Sequence, residues 1–426
     1  MPKASPKGWN TIRVIAVARA VSLLGDELAI FALLLREKHN GGGALSIAAI
    51  LAAGQLPLIL LSPWAGTLAD RVPVRRLAPI VNVIQAMLAA LLAFNAPLFV
   101  SLVLICLIGV GQAFTAPAWS ATLPELVGKE AMPRAMSLMM ASYALAGIAG
   151  PGIAGIMVSK FGYITPMITN AATFAVLAIV PAFLVLPFHA RERGHRQRGD
   201  VWVGLQIVRN EPVIRALTIL GFSLNVTVGT FSVAELFFAL DNLHATMFIY
   251  GLVGSTFAAG VLVAALVNER RDVSQARLPA NIIAGGLLAA LGVLLTGFSW
   301  HWALLFPTAA LAGIGVSTLN AYFFALILQR APDESRGRVS SAVQGVSSAG
   351  QMASLAIGGV VVSVIDPRIA ILLSGAACFV VLGVLSSTVR GASTGVQIHD
   401  ISPTQPAEDY PHSDDSDDRG NDVVQV

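Results

Sequence analysis

The sequence predicts an all-α integral membrane protein whose twelve transmembrane helices form two parallel, pseudo-repeated six-helix bundles. Three observations indicate this fold: the composition, the alternation of apolar runs with basic gaps, and a weak internal repeat. Apolar residues make up 55% of the 426-residue chain, charged residues 12%, and the mean hydropathy is +0.74. These values are far from those of soluble globular proteins, so a chain embedded in lipid is expected.

A helix needs about 20 predominantly apolar residues to cross the hydrocarbon core of a bilayer. The first six predicted spans are Ile12–Leu35, Leu45–Ala69, Leu77–Phe94, Leu98–Leu123, Met132–Val158 and Thr165–Phe188. The second six are Val213–Leu240, Thr246–Val267, Leu278–Phe298, Trp302–Leu328, Val339–Val364 and Arg368–Val389. The predicted domains are an N-terminal bundle (1–190), a linker (191–212), a C-terminal bundle (213–390) and a disordered acidic tail (391–426).

Lysine and arginine are concentrated on one side of these spans, for example in the Arg71–Arg76 turn and the Arg191–Arg215 cluster. The other side carries four basic residues: Arg36, Lys38, Lys160 and Arg368. Because loops rich in lysine and arginine remain cytoplasmic, both termini are expected in the cytoplasm. The expected location of the chain is the plasma membrane. The net charge of +3 comes from this bias, so a nucleic-acid partner is not expected.

The two halves resemble each other at an offset near 200 residues. Leu68–Arg71 aligns with Val267–Arg270, and each segment ends the second span of its half. Arg134–Ser137 aligns with Arg338–Ser341, and each segment opens a fifth span. A parallel repeat of six helices is consistent with two bundles related by an axis normal to the membrane.

A short polar break follows the second predicted span. Its residues Gly66, Asp70, Arg71, Arg75 and Arg76 resemble the G-x-L-A-D-R-x-G-R-R loop of the major facilitator superfamily, although Pro73 replaces a glycine. The resemblance implies a secondary transporter in which this loop is a gating motif. It also implies that the aspartate interacts with the N-terminus of the eleventh spanning helix, where a helix carries about half a positive charge.

The fifth predicted span contains a run of small residues around one proline. Gly147, Gly150, Pro151 and Gly155 resemble the g-x-x-x-G-P-x-x-G-G antiporter motif of the same superfamily. Small residues permit close helix approach and proline bends the helix, and the resemblance implies that this segment seals against the eighth spanning helix. Three further segments resemble the siderophore-exporter and macrolide-efflux branch: Leu23–Asp26, Gly109–Leu126 and Arg336–Val339.

Ionisable residues inside membrane spans are costly and are therefore functional candidates. Four are candidates for proton coupling: Arg19, Asp26 and Glu27 in the first span and Glu235 in the seventh. We expect Asp26 to titrate during transport, because burial favours the neutral acid. The alternatives are a permanent Arg19–Asp26 pair, since two helical turns separate these residues on one face, or a purely structural Asp26.

Neutral polar residues within spans are candidates for the lining of a substrate cavity: Gln85, Gln112, Asn225, Asn320 and Gln344. Because the chain has no Walker A loop and no metal-ligand spacing, we expect no enzymatic activity, cofactor or metal. The expected partners are the bilayer, a small molecule and protons, and the chain is expected to be monomeric. The resemblance implies export of a drug-like or siderophore-like amphipathic molecule by proton antiport. The alternatives are import of a small nutrient and a non-transporting receptor or scaffold.

Overall fold

The computed structural model describes residues 6–94, 96–127, 132–184, 200–269, 277–331 and 335–394. Within these residues the N-terminal half contains α1 (Pro6–His39), α2 (Ala44–Arg71), α3 (Val74–Leu92), α4 (Leu98–Val127), α5 (Met132–Phe161) and α6 (Ile164–Phe183). The short α7 (Asp200–Asn210) follows. The second half contains α8 (Pro212–Phe237), α9 (Met247–Glu269), α10 (Leu278–Gly297), α11 (Leu305–Arg330), α12 (Arg336–Val364) and α13 (Pro367–Thr394). A π-helical turn, Phe238–Asn242, extends α8, and a 3₁₀ turn, Trp302–Leu304, precedes α11.

Helices α1–α6 and α8–α13 correspond in order to the twelve predicted spans, and α7 is a helix within the predicted linker. Among the described residues, eleven helices are long and apolar enough to cross a membrane. The exception among the twelve is α1, because charged residues such as Arg19 and Asp26 interrupt its apolar sequence. At 34 residues it is long enough to span, and it packs against α4, α5 and α6. The predicted fold class is therefore confirmed.

The sequence-based boundaries differ from the helix ends by a few residues. Helix α13 continues to Thr394, past the predicted boundary at residue 390. The rest of the predicted tail, residues 395–426, lies outside the described residues, as does the segment 185–199 that opens the linker. Pro73 precedes the first residue of α3 and adopts an extended conformation, with ψ of 136°. A proline at this position ends α2 and begins α3 within two residues, because it cannot continue the preceding helix.

Each bundle is held together by close helix pairs. Helix α1 packs against α5 and α6, α2 against α4, and α3 against α4 and α6. In the second half, α11 packs against α9 and α10, whereas α8 packs against α12 and α13. Glycine permits the closest approach: a Cβ on Gly315 of α11 would overlap the backbone nitrogen of Ala289 of α10. Two main contacts join the bundles, namely α2 with α12 and α5 with α9.

The two ends of the molecule differ in how the bundles meet. We call the end that carries the α2–α3 turn, with exposed Arg75 and Arg76, the basic end. The end that carries the α1–α2 turn is the opposite end. There, one apolar cluster contains buried residues of both bundles, including Leu33, Ile47 and Phe238. At the basic end, the described residues form a separate cluster in each bundle.

Candidate transport site

Asp26 lies in α1 and is held by two neutral amides from neighbouring helices. Gln112 of α4 donates from Nε2 to Oδ2 of Asp26 over 2.8 Å. Asn170 of α6 donates from Nδ2 to Oδ1 of Asp26 over 3.3 Å. The hydroxyl of Thr173 donates to the backbone carbonyl oxygen of Asn170 over 2.7 Å and lies 3.2 Å from Oδ1 of the same residue. The structure thus brings together two predicted residues, Asp26 and Gln112, and adds Asn170, whose only signal in the sequence is an amide inside the sixth apolar run.

Arg19 does not pair with Asp26. Its Nη2 donates to the hydroxyl of Tyr143 in α5 over 2.8 Å, and its guanidinium carbon lies 5.9 Å from the centre of the same ring. The alternative of a permanent Arg19–Asp26 pair is therefore not the arrangement in this structure. Tyr143 is 40% exposed, so Arg19 is held at an accessible position between α1 and α5.

The other two predicted carboxylates lie beside a contact between the bundles. Phe31 of α1 stacks on Tyr250 of α9, with ring centroids 5.2 Å apart. Glu27 precedes Phe31 by one helical turn, and Gly150 of α5 makes room for it, since a Cβ on Gly150 would lie 2.5 Å from the Cβ of Glu27. Glu235 of α8 lies near Tyr250. Glu27 and Glu235 are therefore both close to this aromatic pair.

The run of small residues in α5 forms the crossing with α9. A Cβ on Gly251 of α9 would overlap the carbonyl oxygen of Pro151, and a Cβ on Gly155 would lie 3.0 Å from the carbonyl oxygen of Met247. The amide of Gly152 donates to Oγ of Ser255 over 3.0 Å, so a hydrogen bond joins the bundles beside the proline. A Cβ on Gly147 would lie 4.0 Å from the Cβ of Ala258, which is an ordinary contact distance. The fifth and eighth spanning helices thus meet as the small residues predict, whereas Ser255 was missed.

A polar contact that the sequence did not suggest joins the bundles at the opposite end. Nζ of Lys38 in α1 lies 2.6 Å from Oδ2 of Asp241, which belongs to the π-helical turn after α8. The same ammonium lies 4.4 Å from the ring centre of Phe237. We call the Lys38–Asp241 pair the polar latch. Its two residues are 203 positions apart, so only the folded chain brings them together.

Arg36 was counted as a loop cation, but the structure buries it. Only 7% of the residue is exposed. Its guanidinium donates to the carbonyl oxygen of Leu92 over 3.1 Å and to Oγ of Ser101 over 3.3 Å. Helix α1 extends to His39, past the predicted end at Leu35, and this extension brings Arg36 to the last carbonyl groups of α3. Such a cation satisfies a helix C-terminus and stabilises the N-terminal bundle.

Three predicted cavity residues meet in the C-terminal bundle. Asn225 of α8, Asn320 of α11 and Gln344 of α12 line one cavity of about 410 Å³. Gln85 does not reach it: this residue is 1% exposed and donates from Nε2 to the carbonyl oxygen of Ile108 over 2.9 Å, inside the α3–α4 contact. Of the five candidates, three thus share a cavity, Gln112 binds Asp26, and Gln85 bridges two helices.

The gating motif lies at the basic end. Gly66, Asp70 and Arg71 belong to the last turns of α2, but the side chains of residues 62–71 lie outside the described part of the structure. Arg75 and Arg76 are exposed in the first turn of α3. The contact of Asp70 with the N-terminus of α12 therefore stays a prediction. No group of three His, Cys, Asp or Glu side chains suited to a metal ion occurs among the described residues.

Two bundles of six helices each, of which eleven helices among the described residues are long and apolar enough to span a membrane, are typical of a polytopic membrane transporter. The sequence profile of the Major Facilitator Superfamily matches residues 15–278 and 228–403, and the chain belongs to this superfamily. It is therefore a transporter and not an enzyme. The crystal structure of the nucleoside transporter NupG shares the fold with a TM-score of 0.73 at 12% identity, over 89% of this chain and 99% of that one.

Two curated relatives are efflux proteins. Macrolide efflux protein A of Streptococcus pyogenes is 21% identical over 78% of this chain and 85% of its own length. Multidrug efflux pump Tap of Mycobacterium bovis is 25% identical over 81% of this chain and 85% of its own length. These similarities agree with the branch that the sequence motifs indicate.

Proposed function

We propose that this protein is a monomeric exporter of an amphipathic small molecule, working in the plasma membrane by alternating access and exchanging its substrate for protons. The observation that carries the proposal is Asp26, a carboxylate inside a spanning helix that is held by amide side chains. The names of the two efflux relatives support export as the direction. The drug-like or siderophore-like character of the substrate follows from the same branch.

The distribution of basic residues supports the orientation. Arg75 and Arg76 are exposed at the basic end, so this end is assigned to the cytoplasm. With this orientation, the described residues support an inward-facing state, because they form an apolar cluster shared by the bundles at the outer end and one separate cluster in each bundle at the inner end. A substrate from the cytoplasm or the inner leaflet would enter between the two separate clusters.

The surroundings of Asp26 suit a group that gains and loses a proton. Asn170 donates from Nδ2 to the carboxylate, and its side-chain oxygen faces the hydroxyl of Thr173. Gln112 carries both a donor and an acceptor, so a rotation of its amide would let it accept from the protonated acid. Both protonation states of Asp26 would then be hydrogen-bonded. Arg19 is engaged by Tyr143 and does not hold Asp26 permanently charged through an ion pair.

The test is transport by cells and proteoliposomes. Cells with and without the protein are loaded with ethidium, Nile red and a fluorescent neutral glycoside, with and without a protonophore. We expect lower accumulation of at least one probe on expression, and loss of this difference when the protonophore is present. Higher accumulation on expression would instead establish import. Export that is insensitive to the protonophore would overturn proton coupling.

The role of Asp26 is tested by Asp26→Asn. We expect this variant to lose proton-driven accumulation in proteoliposomes while it still exchanges labelled for unlabelled substrate, because only the coupling step needs the acid. Glu37→Gln is the matched control, since Glu37 is an acid in the last turn of the same helix. Normal proton-driven accumulation by a normally expressed Asp26→Asn variant would remove Asp26 from the coupling role.

A further inference from the structure

The cavity in the C-terminal bundle has an unusual set of polar groups. Four amide side chains line it: Asn225 from α8, Asn320 from α11, and Gln344 and Gln351 from α12. None of the described residues that line it carries a formal charge. Its volume of about 410 Å³ lies within the range of small-molecule sites, which is roughly 300–1,000 Å³.

The hydrogen-bonding capacity of these amides is largely unused within the described residues. Asn225 donates from Nδ2 to the carbonyl oxygen of Gly221 over 2.8 Å, and its own oxygen accepts no bond there. The side chains of Asn320, Gln344 and Gln351 make no hydrogen bond to the described part of the protein. Because each amide offers two N–H donors and one carbonyl acceptor, the cavity presents donors and acceptors together.

This mixture selects the charge of a ligand. A cationic group can use only the acceptors of the amides and an anionic group only their donors, and neither finds a counter-charge among the described lining residues. A hydroxyl group donates and accepts at once, so it can use both halves of an amide. Burying an ion among neutral amides would cost far more than burying a hydroxyl group that forms the same hydrogen bonds.

The cavity also has an apolar wall. Phe323 and Phe324 of α11 line it and meet edge to face, with ring centroids 5.4 Å apart at 88°. Leu224 and Leu319 extend this wall. A ligand that fits would therefore have hydroxyl groups on one face and an apolar or ring-like body on the other.

We propose that this cavity binds an uncharged, hydroxyl-rich part of the transported molecule, joined to an apolar body, as in an aryl glycoside. This inference rests on the proposed transport function and narrows its substrate class. Asp26 and Glu235 do not line the cavity. A neutral substrate would thus bind in the cavity while the coupling proton binds to a carboxylate outside it. The two would not compete for one carboxylate.

The test is binding of a matched series of probes to the purified full chain in nanodiscs, measured by equilibrium dialysis. 4-Methylumbelliferyl β-glucoside is neutral, the corresponding glucuronide is anionic, and the 2-amino-2-deoxyglucoside is cationic. All three carry the same aromatic body. We expect the neutral glucoside to bind about tenfold more tightly than either charged probe, which corresponds to about 1.4 kcal/mol. Equal or tighter binding of a charged probe would overturn the proposal.

Variants assign the binding to the cavity. We expect Gln351→Leu to weaken glucoside binding several-fold, and Gln344→Glu to shift the preference towards the cationic amino sugar. Gln55→Leu is the matched control, because Gln55 is an exposed amide on α2 that does not line the cavity. Unchanged binding in both cavity variants would contradict the assignment. Export of charged probes alone would overturn this inference and leave the proposed export intact. Glucoside binding to the cavity without any transport would overturn the proposed export and leave the assignment of the binding site intact.

Discussion

The two bundles meet in different ways at the opposite end and at the basic end of this transporter. At the opposite end, a single apolar cluster draws residues from both bundles, α5 crosses α9 at glycine, and the polar latch lies at the rim. At the basic end, each bundle completes its own cluster within the described residues. In the proposed alternating-access cycle, a switch to the other state would break the apolar and backbone contacts of the opposite end.

These contacts differ in strength because they differ in burial and in their freedom to adapt. Where two helix backbones cross at a glycine, the backbone atoms cannot move aside for a larger side chain. A single buried hydrogen bond contributes about 1 kcal/mol, and an exposed ion pair contributes less. Three substitutions at the opposite end should therefore weaken the contact between the bundles by decreasing amounts.

The largest effect is expected for Gly251→Ala. The new Cβ would overlap the carbonyl oxygen of Pro151, which is backbone and cannot move aside cheaply. We expect a loss of about 1–3 kcal/mol in the stability of the closed crossing. The readout is the melting temperature in detergent, together with labelling of an engineered cysteine in α5 by a membrane-impermeant maleimide added from outside. Gly345→Ala is the control, because a Cβ there has nothing within 4 Å. Equal behaviour of the two variants would show that this crossing does not limit the seal.

A smaller effect is expected for Ser255→Ala. The substitution removes the acceptor of the Gly152 amide beside Pro151, and the loss should be about 1 kcal/mol. Maleimide labelling should rise less than for Gly251→Ala. Ser159→Ala is the control, because the Ser159 hydroxyl is exposed and donates within its own helix to Ile156. Labelling of Ser255→Ala at the level of this control would indicate that the Gly152 bond adds nothing to the seal.

Local signals in the sequence were sufficient for the helices, and the α5–α9 contact followed from the resemblance of the segment around Pro151 to the antiporter motif. Apolar runs fix where spans lie, and the small residues around Pro151 mark a close approach in any arrangement of the bundles. The surroundings of individual polar groups were not predictable in this way. Asn170 binds Asp26 from 144 positions away, and Tyr143 binds Arg19 from 124 positions away. Which polar side chains meet depends on the rotation of each helix about its own axis. Composition and periodicity do not determine this rotation.

Arg36 and the Lys38–Asp241 pair show a second reason why the contacts of polar residues were not predicted. Arg36 belongs to the last turn of α1, which extends past the predicted span, and its buried position depends on where α3 ends. Asp241 lies in the π-helical turn, which shifts the register of the chain relative to a continuous α-helix. Neither the extension of a helix by one turn nor a π-helical turn has a reliable signature in a single sequence.

The smallest effect is expected at the polar latch itself. The side chains of Lys38 and Asp241 are 20% and 51% exposed, so solvent and salt screen the pair. We expect Asp241→Asn to cost at most about 0.2–1 kcal/mol, and less at high ionic strength. A double-mutant cycle with Lys38→Met, read by maleimide labelling at two salt concentrations, isolates the pair from the contact of Lys38 with Phe237. A coupling energy above this range, or one that does not fall with salt, would mean that the latch holds the outer end closed as firmly as the glycine crossing. The comparison between the two ends would then depend on charge as much as on packing.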